Sequence, residues 1–160
     1  MPVYFFDTSA LQHRYFNSPK SRSIRRIISD RRNTCYILDL TIVEIASAMA
    51  LKCRSNNLNV KEYDKLSRKF WLDVSSHGPL RVLNSGKREV LRARHLIRYA
   101  GVIRRRRISS HDALIAASCL EFALENRTRV MFCLEDRPLY NIISQIGAFN
   151  QVLKFRYIGP

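Results

Sequence analysis

The sequence predicts an α/β protein in which a central, mainly parallel sheet of about five strands carries helices on both faces. Short apolar segments alternate with longer segments of helical periodicity, and helices between short strands act as crossovers that bring parallel strands side by side. The chain has 160 residues, which is enough for one domain with a substantial core. We therefore expect a single domain over residues 1–160.

Five segments have the composition of strands. Two of them, 3–6 and 129–134, are apolar enough to be buried on both faces at the centre of the sheet. The other three, 34–38, 80–83 and 151–158, complete the predicted sheet.

Six longer segments have the pattern of helices. Pro19 stands in the first turn of the first segment, and Gly78, Gly101 and Gly147 mark the ends of later ones. The predicted helices are 18–31, 41–55, 60–76, 85–100, 109–126 and 137–146. Residues 55–59 (SNNLN) are the most loop-like, so we expect the second and third helices to form a hairpin.

Basic residues far outnumber acidic ones. The chain contains 28 Lys and Arg against 13 Asp and Glu, and its formal charge of +15 favours a polyanionic partner such as nucleic acid. Arginine predominates, and its planar guanidinium matches phosphate oxygens, although solvated helix faces are the alternative explanation. One cluster comprises Arg81, Lys87, Arg88, Arg92, Arg94, Arg98, Arg104, Arg105, Arg106 and Arg107; the other comprises Arg14, Lys20, Arg22, Arg25, Arg26, Arg31 and Arg32.

The sequence gives no sign of a membrane or secretory protein. No apolar run approaches the roughly 20 residues that span a bilayer, and residues 3–6 are too short for a signal peptide, so we expect a cytoplasmic protein. The four cysteines lack the spacing of a zinc site or a disulfide framework. We predict that Cys35, Cys119 and Cys133 are buried, and that Cys53 lies in a more polar setting.

Four carboxylates occur in apolar or small-residue contexts: Asp7, Glu44, Asp112 and Asp136. Asp7 and Asp136 follow the first and fourth predicted strands, at the carboxyl ends where open α/β sheets bind ligands. Glu44 and Asp112 fall in the first turns of helices that continue with small apolar residues, where an unpaired carboxylate is costly. Because hard divalent cations prefer oxygen ligands, the pattern indicates one metal site assembled from distant segments.

Helix capping is the alternative explanation for each carboxylate. Asp7 and Asp136 occupy positions typical of an N-cap. Thr41 and Glu44 match the spacing of a capping box, and Ser109 precedes Asp112 by the same interval. Any one of the four is therefore weak evidence, and the argument depends on their combination.

The segments FFDTSAL, TIVEIASA, SSHDALIAAS and RVMFCLEDRPLY, in this order, resemble the PIN-domain ribonucleases, and among them the VapC-like toxins of toxin–antitoxin pairs. The resemblance covers nearly the whole chain and implies a three-layer α/β/α sandwich. It also implies that Asp7, Glu44, Asp112 and Asp136 are the acidic quartet that binds Mg²⁺ or Mn²⁺. Ser9 matches the hydroxyl position after the first acid.

Two residues depart from the family pattern. Glu135 stands where Ser, Thr or Asn is more usual, and Asp39 stands where Ser is frequent. Either acid is a candidate for a displaced metal ligand. The fourth carboxylate of the quartet is therefore assigned to Asp136, with Glu135 or Asp39 as an alternative or an additional ligand.

The expected function is metal-dependent hydrolysis of RNA phosphodiester bonds by an activated water, which leaves 5′-phosphate products. Ser9, Arg104, Arg105, Arg106 and Arg107 are the expected substrate-binding residues. The resemblance further implies a homodimer and a small antitoxin partner. The amphipathic segment 60–74, with Phe70 and Trp71, is a candidate interface, and core packing is its alternative role.

Other functions remain open at this stage. A histidine-based ribonuclease would use His13, His77, His95 or His111, and a noncatalytic RNA-binding protein would use only the arginines. A DNA flap-type nuclease of the same superfamily and a stand-alone RNA-processing enzyme without an antitoxin are further alternatives. Metal dependence, substrate preference and the presence of a small neighbouring gene separate these possibilities.

Overall fold

The five predicted strands form one sheet. A computed structural model describes residues 1–55 and 57–158; Asn56, in the predicted loop 55–59, and Gly159 and Pro160, at the end of the predicted domain, lie outside the described residues. The strands are β1 (Val3–Phe6), β2 (Thr34–Leu38), β3 (Leu80–Leu83), β4 (Val130–Leu134) and β5 (Leu153–Tyr157). They pair in parallel in the order β3-β2-β1-β4-β5, which confirms the predicted fold class and the central position of the first and fourth strands.

Helices occupy the connections between the strands. Those in the described residues are α1 (Thr8–Leu11), α2 (Ser21–Ser29), α3 (Asp39–Arg54), α4 (Val60–Val74), α5 (Lys87–Arg98), α6 (Ser110–Glu125), α7 (Arg137–Ile143) and α8 (Gly147–Val152). A 3₁₀ turn (Gln12–Arg14) follows α1, and a π-helical segment (Tyr99–Ile103) extends α5. The six predicted helices are confirmed with shifted ends, whereas α1 and α8 were not predicted as separate helices.

The core lies on both faces of the sheet, which gives three layers. Phe5 and Phe6 are both fully buried and point to opposite faces, as neighbouring residues of a strand must. Phe5 packs in the core formed with α5, α6, α7 and α8, and Phe6 packs in the core formed with α1, α2, α3 and α4. Cys35, Cys119 and Cys133 are buried free thiols and Cys53 is partly exposed, as predicted.

Some members of the predicted basic clusters are already neutralised. Arg14 is buried, and its guanidinium donates two hydrogen bonds to Asp73 of α4, at 2.6 and 2.7 Å. Its assignment to a basic surface cluster is therefore wrong, because the acid that pairs with it lies far away in the sequence. On the surface, Arg88 pairs with Glu125 and Arg92 with Glu121. Within the described residues, no helix has the length and hydrophobicity needed to cross a membrane.

Candidate active site

Asp7 lies at the carboxyl edge of the sheet, directly after β1. Its backbone N–H donates to the carbonyl of Cys133 at 2.9 Å, so β1 and β4 stay together up to this residue. Its side chain is the N-cap of α1 and accepts hydrogen bonds from the amide of Ser9, at 3.2 Å, and from the Ser9 hydroxyl. These hydrogen bonds confirm the predicted capping role of Asp7. The side chain is also almost fully buried, since only 2% of Asp7 is exposed.

The pKa of the Asp7 carboxyl is strongly raised. Burial raises the pKa of its carboxyl from 3.8 to about 7, the Ser9 hydrogen bonds oppose this rise, and the negative charges of Asp112 and Glu44 add to it. Three acids from distant segments, at β1, α3 and α6, therefore act on one another through space. None of them pairs with a Lys or Arg in the described part of the chain, although the protein is strongly basic.

Glu44 points toward this acid group rather than toward the start of its helix. Helix α3 begins at Asp39 and has no side-chain cap, so the predicted capping box of Thr41 and Glu44 is wrong. Instead, Glu44 accepts a hydrogen bond from the Thr8 hydroxyl, and its Oε1 lies 3.2 Å from Nδ1 of His111. Glu44 thus lies within α3 while its carboxylate faces α1 and α6.

Asp112 is held at the start of α6. Ser109 is the N-cap and accepts a hydrogen bond from the Asp112 amide at 3.0 Å, while the Ser109 hydroxyl donates to the Asp112 carboxylate at 2.6 Å. Helix α6 is buried along most of its length because residues such as Ala113, Ala116 and Ala117 allow close packing. This packing fixes the helix start, where the N-terminal dipole favours a negative charge.

Asp136 caps α7. Its Oδ1 accepts a hydrogen bond from the amide of Leu139 at 2.6 Å, with Pro138 in the first turn, as the capping alternative predicts. Among the described residues, no side-chain hydrogen bond or ion pair joins Asp136 to Asp7, Glu44 or Asp112. The structure therefore brings three members of the predicted quartet into electrostatic contact and leaves the role of Asp136 a prediction.

The two alternative acids are engaged elsewhere. Glu135 binds Nε2 of His13 at 2.5 Å and also binds the ammonium of Lys20. Asp39 accepts hydrogen bonds from the amides of Leu40, at 2.8 Å, and Ser85, at 3.4 Å. Each therefore already has partners that a metal ion would have to displace.

Ser9 connects Asp7 to the segment that follows β4. Its hydroxyl oxygen accepts a hydrogen bond from the Glu135 amide at 2.9 Å, and the hydroxyl donates to Asp7. Because both its proton and a lone pair are used internally, this hydroxyl orients Asp7. Its predicted contact with substrate is not tested by this arrangement.

The four predicted substrate-binding arginines precede α6. Arg104, Arg105, Arg106 and Arg107 are all exposed. The Arg104 guanidinium lies 5.8 Å from the Tyr99 ring centroid, and Arg105 adopts a left-handed backbone conformation with φ of 52°. The sequence places Asp112 five residues after this run, so the arginines adjoin the segment that carries an acid of the site.

The donor chemistry of Asp7, Glu44 and Asp112 fits a hard divalent cation. All three supply carboxylate oxygens, and a cation would relieve the mutual repulsion that raises the pKa of Asp7. Within residues 1–55 and 57–158, however, no three such side chains already stand in a coordinating arrangement. Glu44 and Asp112 each accept a hydrogen bond at one carboxylate oxygen, from the hydroxyls of Thr8 and Ser109, so these acids would have to turn toward a shared ion.

Sequence reasoning missed several contacts of the site. Thr8 was not singled out although it binds Glu44, and His13 and Lys20 were not recognised as partners of Glu135. The position of Thr8, next to Asp7 in the sequence, could have indicated that it belongs to the site. His13 and Lys20 lie more than a hundred residues from Glu135 in the sequence, so no local pattern reveals that they bind it.

Comparison with known proteins identifies the family. The PIN domain profile matches residues 4–127, and the chain belongs to the PIN-domain family, whose members are nucleases. Among curated proteins, none shows significant sequence similarity to the chain.

Solved structures share the fold at low sequence identity. VapBC2 from Rickettsia felis, solved bound to a DNA fragment from its promoter, has a TM-score of 0.61 at 13% identity, with 96% of this chain and 98% of that chain covered. FitAcB from Neisseria gonorrhoeae has a TM-score of 0.61 at 18% identity, with 88% and 91% covered. PAE2754 from Pyrobaculum aerophilum has a TM-score of 0.53 at 18% identity, with 88% and 79% covered.

Proposed function

We propose that this protein is a metal-dependent endoribonuclease that hydrolyses RNA phosphodiester bonds in the cytoplasm. The observation that carries the proposal is the buried Asp7, whose pKa is raised to about 7 by burial and by the charges of Asp112 and Glu44. A basic chain with 28 Lys and Arg keeps these acids free of Lys and Arg partners in its described part. Membership of a nuclease family supports the same conclusion.

Asp7, Glu44 and Asp112 would hold the ion, and Asp136 is proposed to complete the site directly or through water. Bound Mg²⁺ or Mn²⁺ would lower the pKa of the attacking water and offset the charge that develops on the phosphate. Ser9 keeps one oxygen of Asp7 oriented by donating its hydroxyl proton to it. Arg104 to Arg107 supply guanidinium groups that bind neighbouring phosphates of the strand.

The histidines give less support to a metal-independent mechanism. His13 is 9% exposed and engaged with Ser18 and Glu135, so it is poorly placed to exchange a proton with substrate. His111 is exposed, and its Nδ1 faces Glu44 at 3.2 Å. No hydrogen bond or ion pair in the described residues joins two histidines into an acid–base pair, which favours the carboxylate site.

A cleavage assay with defined metal content tests the proposed activity. Purified protein incubated with single-stranded RNA and Mg²⁺ or Mn²⁺ should yield fragments with 5′-phosphate ends, because the nucleophile is water. EDTA should abolish cleavage, and added Mg²⁺ should restore it. Single-stranded DNA of the same sequence is the matched substrate control. Cleavage that persists in EDTA, or RNA binding without any cleavage, would refute the proposal.

The protein is further proposed to be the toxin of a toxin–antitoxin pair and to form a homodimer. The proposal rests on the resemblance to VapC-like toxins and on the exposed apolar residues of two helices. In α4, Trp71 is 58% and Leu72 71% exposed; in α5, Val90 is 55% exposed. Phe70 is only 3% exposed and packs edge-to-face against Tyr15 in the core, so the alternative role of core packing holds for this residue.

A small protein encoded beside this gene should bind the chain and suppress its nuclease activity. Coexpression, followed by size-exclusion chromatography with light scattering, measures both the complex and the homodimer. Trp71→Ala should weaken the complex because it removes a large exposed aromatic ring. Full cleavage activity in the presence of a stable complex would contradict the antitoxin assignment.

A further inference from the structure

A cleft rich in arginine runs along α2, away from the acidic site. It has a volume of about 570 Å³ and lies between α2 and the strands β1 and β5. Its polar lining comes from Arg22, Ser23, Arg26, Asn33, Tyr4 and Arg156. We refer to it as the α2 cleft.

Three guanidinium groups converge on the α2 cleft. Arg22 and Arg26 are four residues apart on the helix and exposed, so they project from the same face about 6 Å apart along its axis. Arg156 comes from β5, and its Nη2 donates to the Ser23 hydroxyl at 3.0 Å, which ties the third arginine to the helix. The arrangement spans two elements that are remote in sequence.

These three arginines form no ion pair with an acid among residues 1–55 and 57–158. Asp30 also lines the cleft and accepts hydrogen bonds from Nε and Nη2 of Arg32, at 3.0 and 2.8 Å, and its charge acts on Arg26 as well. Because Asp30 is the one acid that lines the cleft in the described part of the chain, against Arg22, Arg26 and Arg156, the lining is net positive, and a bound anion would relieve the repulsion among the arginines.

A chain of contacts links the start of α2 to the acidic site. Lys20, the N-cap of α2, binds the Glu135 carboxylate, and the Glu135 amide donates to the Ser9 hydroxyl. Ser9 in turn binds Asp7. The end of α2 nearest the acids therefore leads directly into the cleft, and a strand that crosses the acidic site can continue along α2.

We propose that the α2 cleft binds backbone phosphates of the RNA that flanks the cleavage position. Guanidinium groups match phosphate oxygens in geometry and charge, and repeated phosphates suit arginines repeated along a helix. A continuous strand accounts for both the cleft and its contact with the acidic site, whereas a free nucleotide would occupy only one of them. This inference rests on the proposed nuclease function.

Binding of RNA by Arg22→Gln/Arg26→Gln tests the inference. Fluorescence anisotropy is measured in EDTA, so that RNA stays intact, with single strands of about 20 and about four nucleotides. We expect the double variant to bind the longer RNA on the order of tenfold more weakly, with the slope of log K against log salt reduced by about 1.4. The short RNA should bind as it does to the unaltered protein.

Lys61→Gln/Lys65→Gln is the matched control, because it removes the same charge from exposed residues with the same spacing on α4. It should leave both affinities unchanged, and circular dichroism should show that both variants are folded. Equal binding of the longer RNA by the arginine variant and the unaltered protein would overturn the inference. Equal weakening in the lysine variant would also overturn it, since the effect would then reflect net charge alone.

Different results would refute the nuclease proposal and the proposed binding of RNA by the α2 cleft. If the unaltered protein binds the longer RNA through Arg22 and Arg26 but cuts no RNA with Mg²⁺, the α2 cleft is supported and the nuclease proposal is refuted. If it cuts RNA and the arginine variant cuts long and short RNA at unchanged rates and affinities, the nuclease proposal stands and the α2 cleft is refuted.

Discussion

Asp7→Asn is expected to abolish RNA cleavage and to stabilise the metal-free protein at neutral pH. Cleavage should fall by on the order of 10³-fold or more, because the buried, central carboxylate of the site is lost. Stability should rise because ionised Asp7 is buried beside two other acids. Raising its pKa from 3.8 to about 7 corresponds to about 4 kcal/mol against the ionised form in the folded state.

The gain in stability should depend on pH. Below the unfolded pKa of 3.8, Asp7 is protonated in both states and carries no penalty; as pH rises to about 7, the unfolded chain releases this proton first, and the folded protein loses stability. The Asn amide keeps part of the burial cost because it is still a buried polar group. At neutral pH we therefore expect the variant to gain about 2 kcal/mol, or roughly 5 °C in Tm.

Thermal unfolding in EDTA at several pH values measures this effect, and the RNA assay measures activity. Asp64→Asn is the matched control, since it makes the same substitution at an exposed position of α4. It should change neither cleavage nor the pH dependence of unfolding. Retained cleavage by Asp7→Asn would refute the site assignment, and an unchanged Tm at neutral pH would show that Asp7 carries no unfavourable charge.

The sheet was predictable because its signal is local. Each strand is a short apolar run with clear ends, and β1, β2 and β3 match the predicted bounds. Helices α1 and α8 have only four and six residues, too few to show a helical period. They depend on tertiary contacts instead, since Ala10, Leu11 and Phe149 are buried in the core.

The candidate acids could be proposed from the sequence, but their contacts could not. The spacing of Thr41 and Glu44 favoured a capping box, yet α3 begins two residues earlier, at Asp39. This shift frees the Glu44 carboxylate to meet Thr8 and His111, which come from other parts of the chain. A local motif can propose a partner for a carboxylate, but competition among distant partners decides which contact forms.

The same limitation applies to charge clusters. Arg14 and Arg22 look equivalent in the sequence, but Arg14 ends the 3₁₀ turn and is buried, whereas Arg22 lies on the exposed face of α2. Net charge favours a polyanionic partner for the surface as a whole, and this partner stays a prediction. It does not reveal which individual arginines are used to stabilise the fold.

Asp73→Leu should destabilise the protein by about 3–5 kcal/mol, which corresponds to roughly 10 °C or more in Tm. Asp73 is 6% exposed and accepts two hydrogen bonds from Arg14 and one from Tyr15, at 2.9 Å. Burial lowers the pKa of Arg14, and the hydrogen bonds and charge of Asp73 more than reverse this effect, so the guanidinium keeps its charge in the folded protein. Removing Asp73 leaves a buried guanidinium without a counterion.

A double variant distinguishes two quantities: the destabilisation caused by leaving Arg14 unpaired, and the net contribution of the ion pair to the free energy of unfolding. Arg14→Met/Asp73→Leu replaces both charges with apolar side chains, so we expect it to recover most of the stability that the single variant loses. Denaturant unfolding of the single and double variants gives the interaction energy between the two positions. Equal destabilisation in the single and double variants would indicate a packing effect rather than an unpaired charge.

Arg32→Met is the matched control for the arginine, because Arg32 is also paired with an acid but its side chain is 86% exposed. It should leave stability nearly unchanged, since exposed ion pairs contribute little. The pair of Arg14 and Asp73 fixes α4 to the turn that follows α1, and α1 carries Thr8 and Ser9 of the acidic site. Folded Asp73→Leu protein should therefore cleave RNA more slowly at a temperature below its Tm, whereas Arg32→Met should cleave at the unaltered rate.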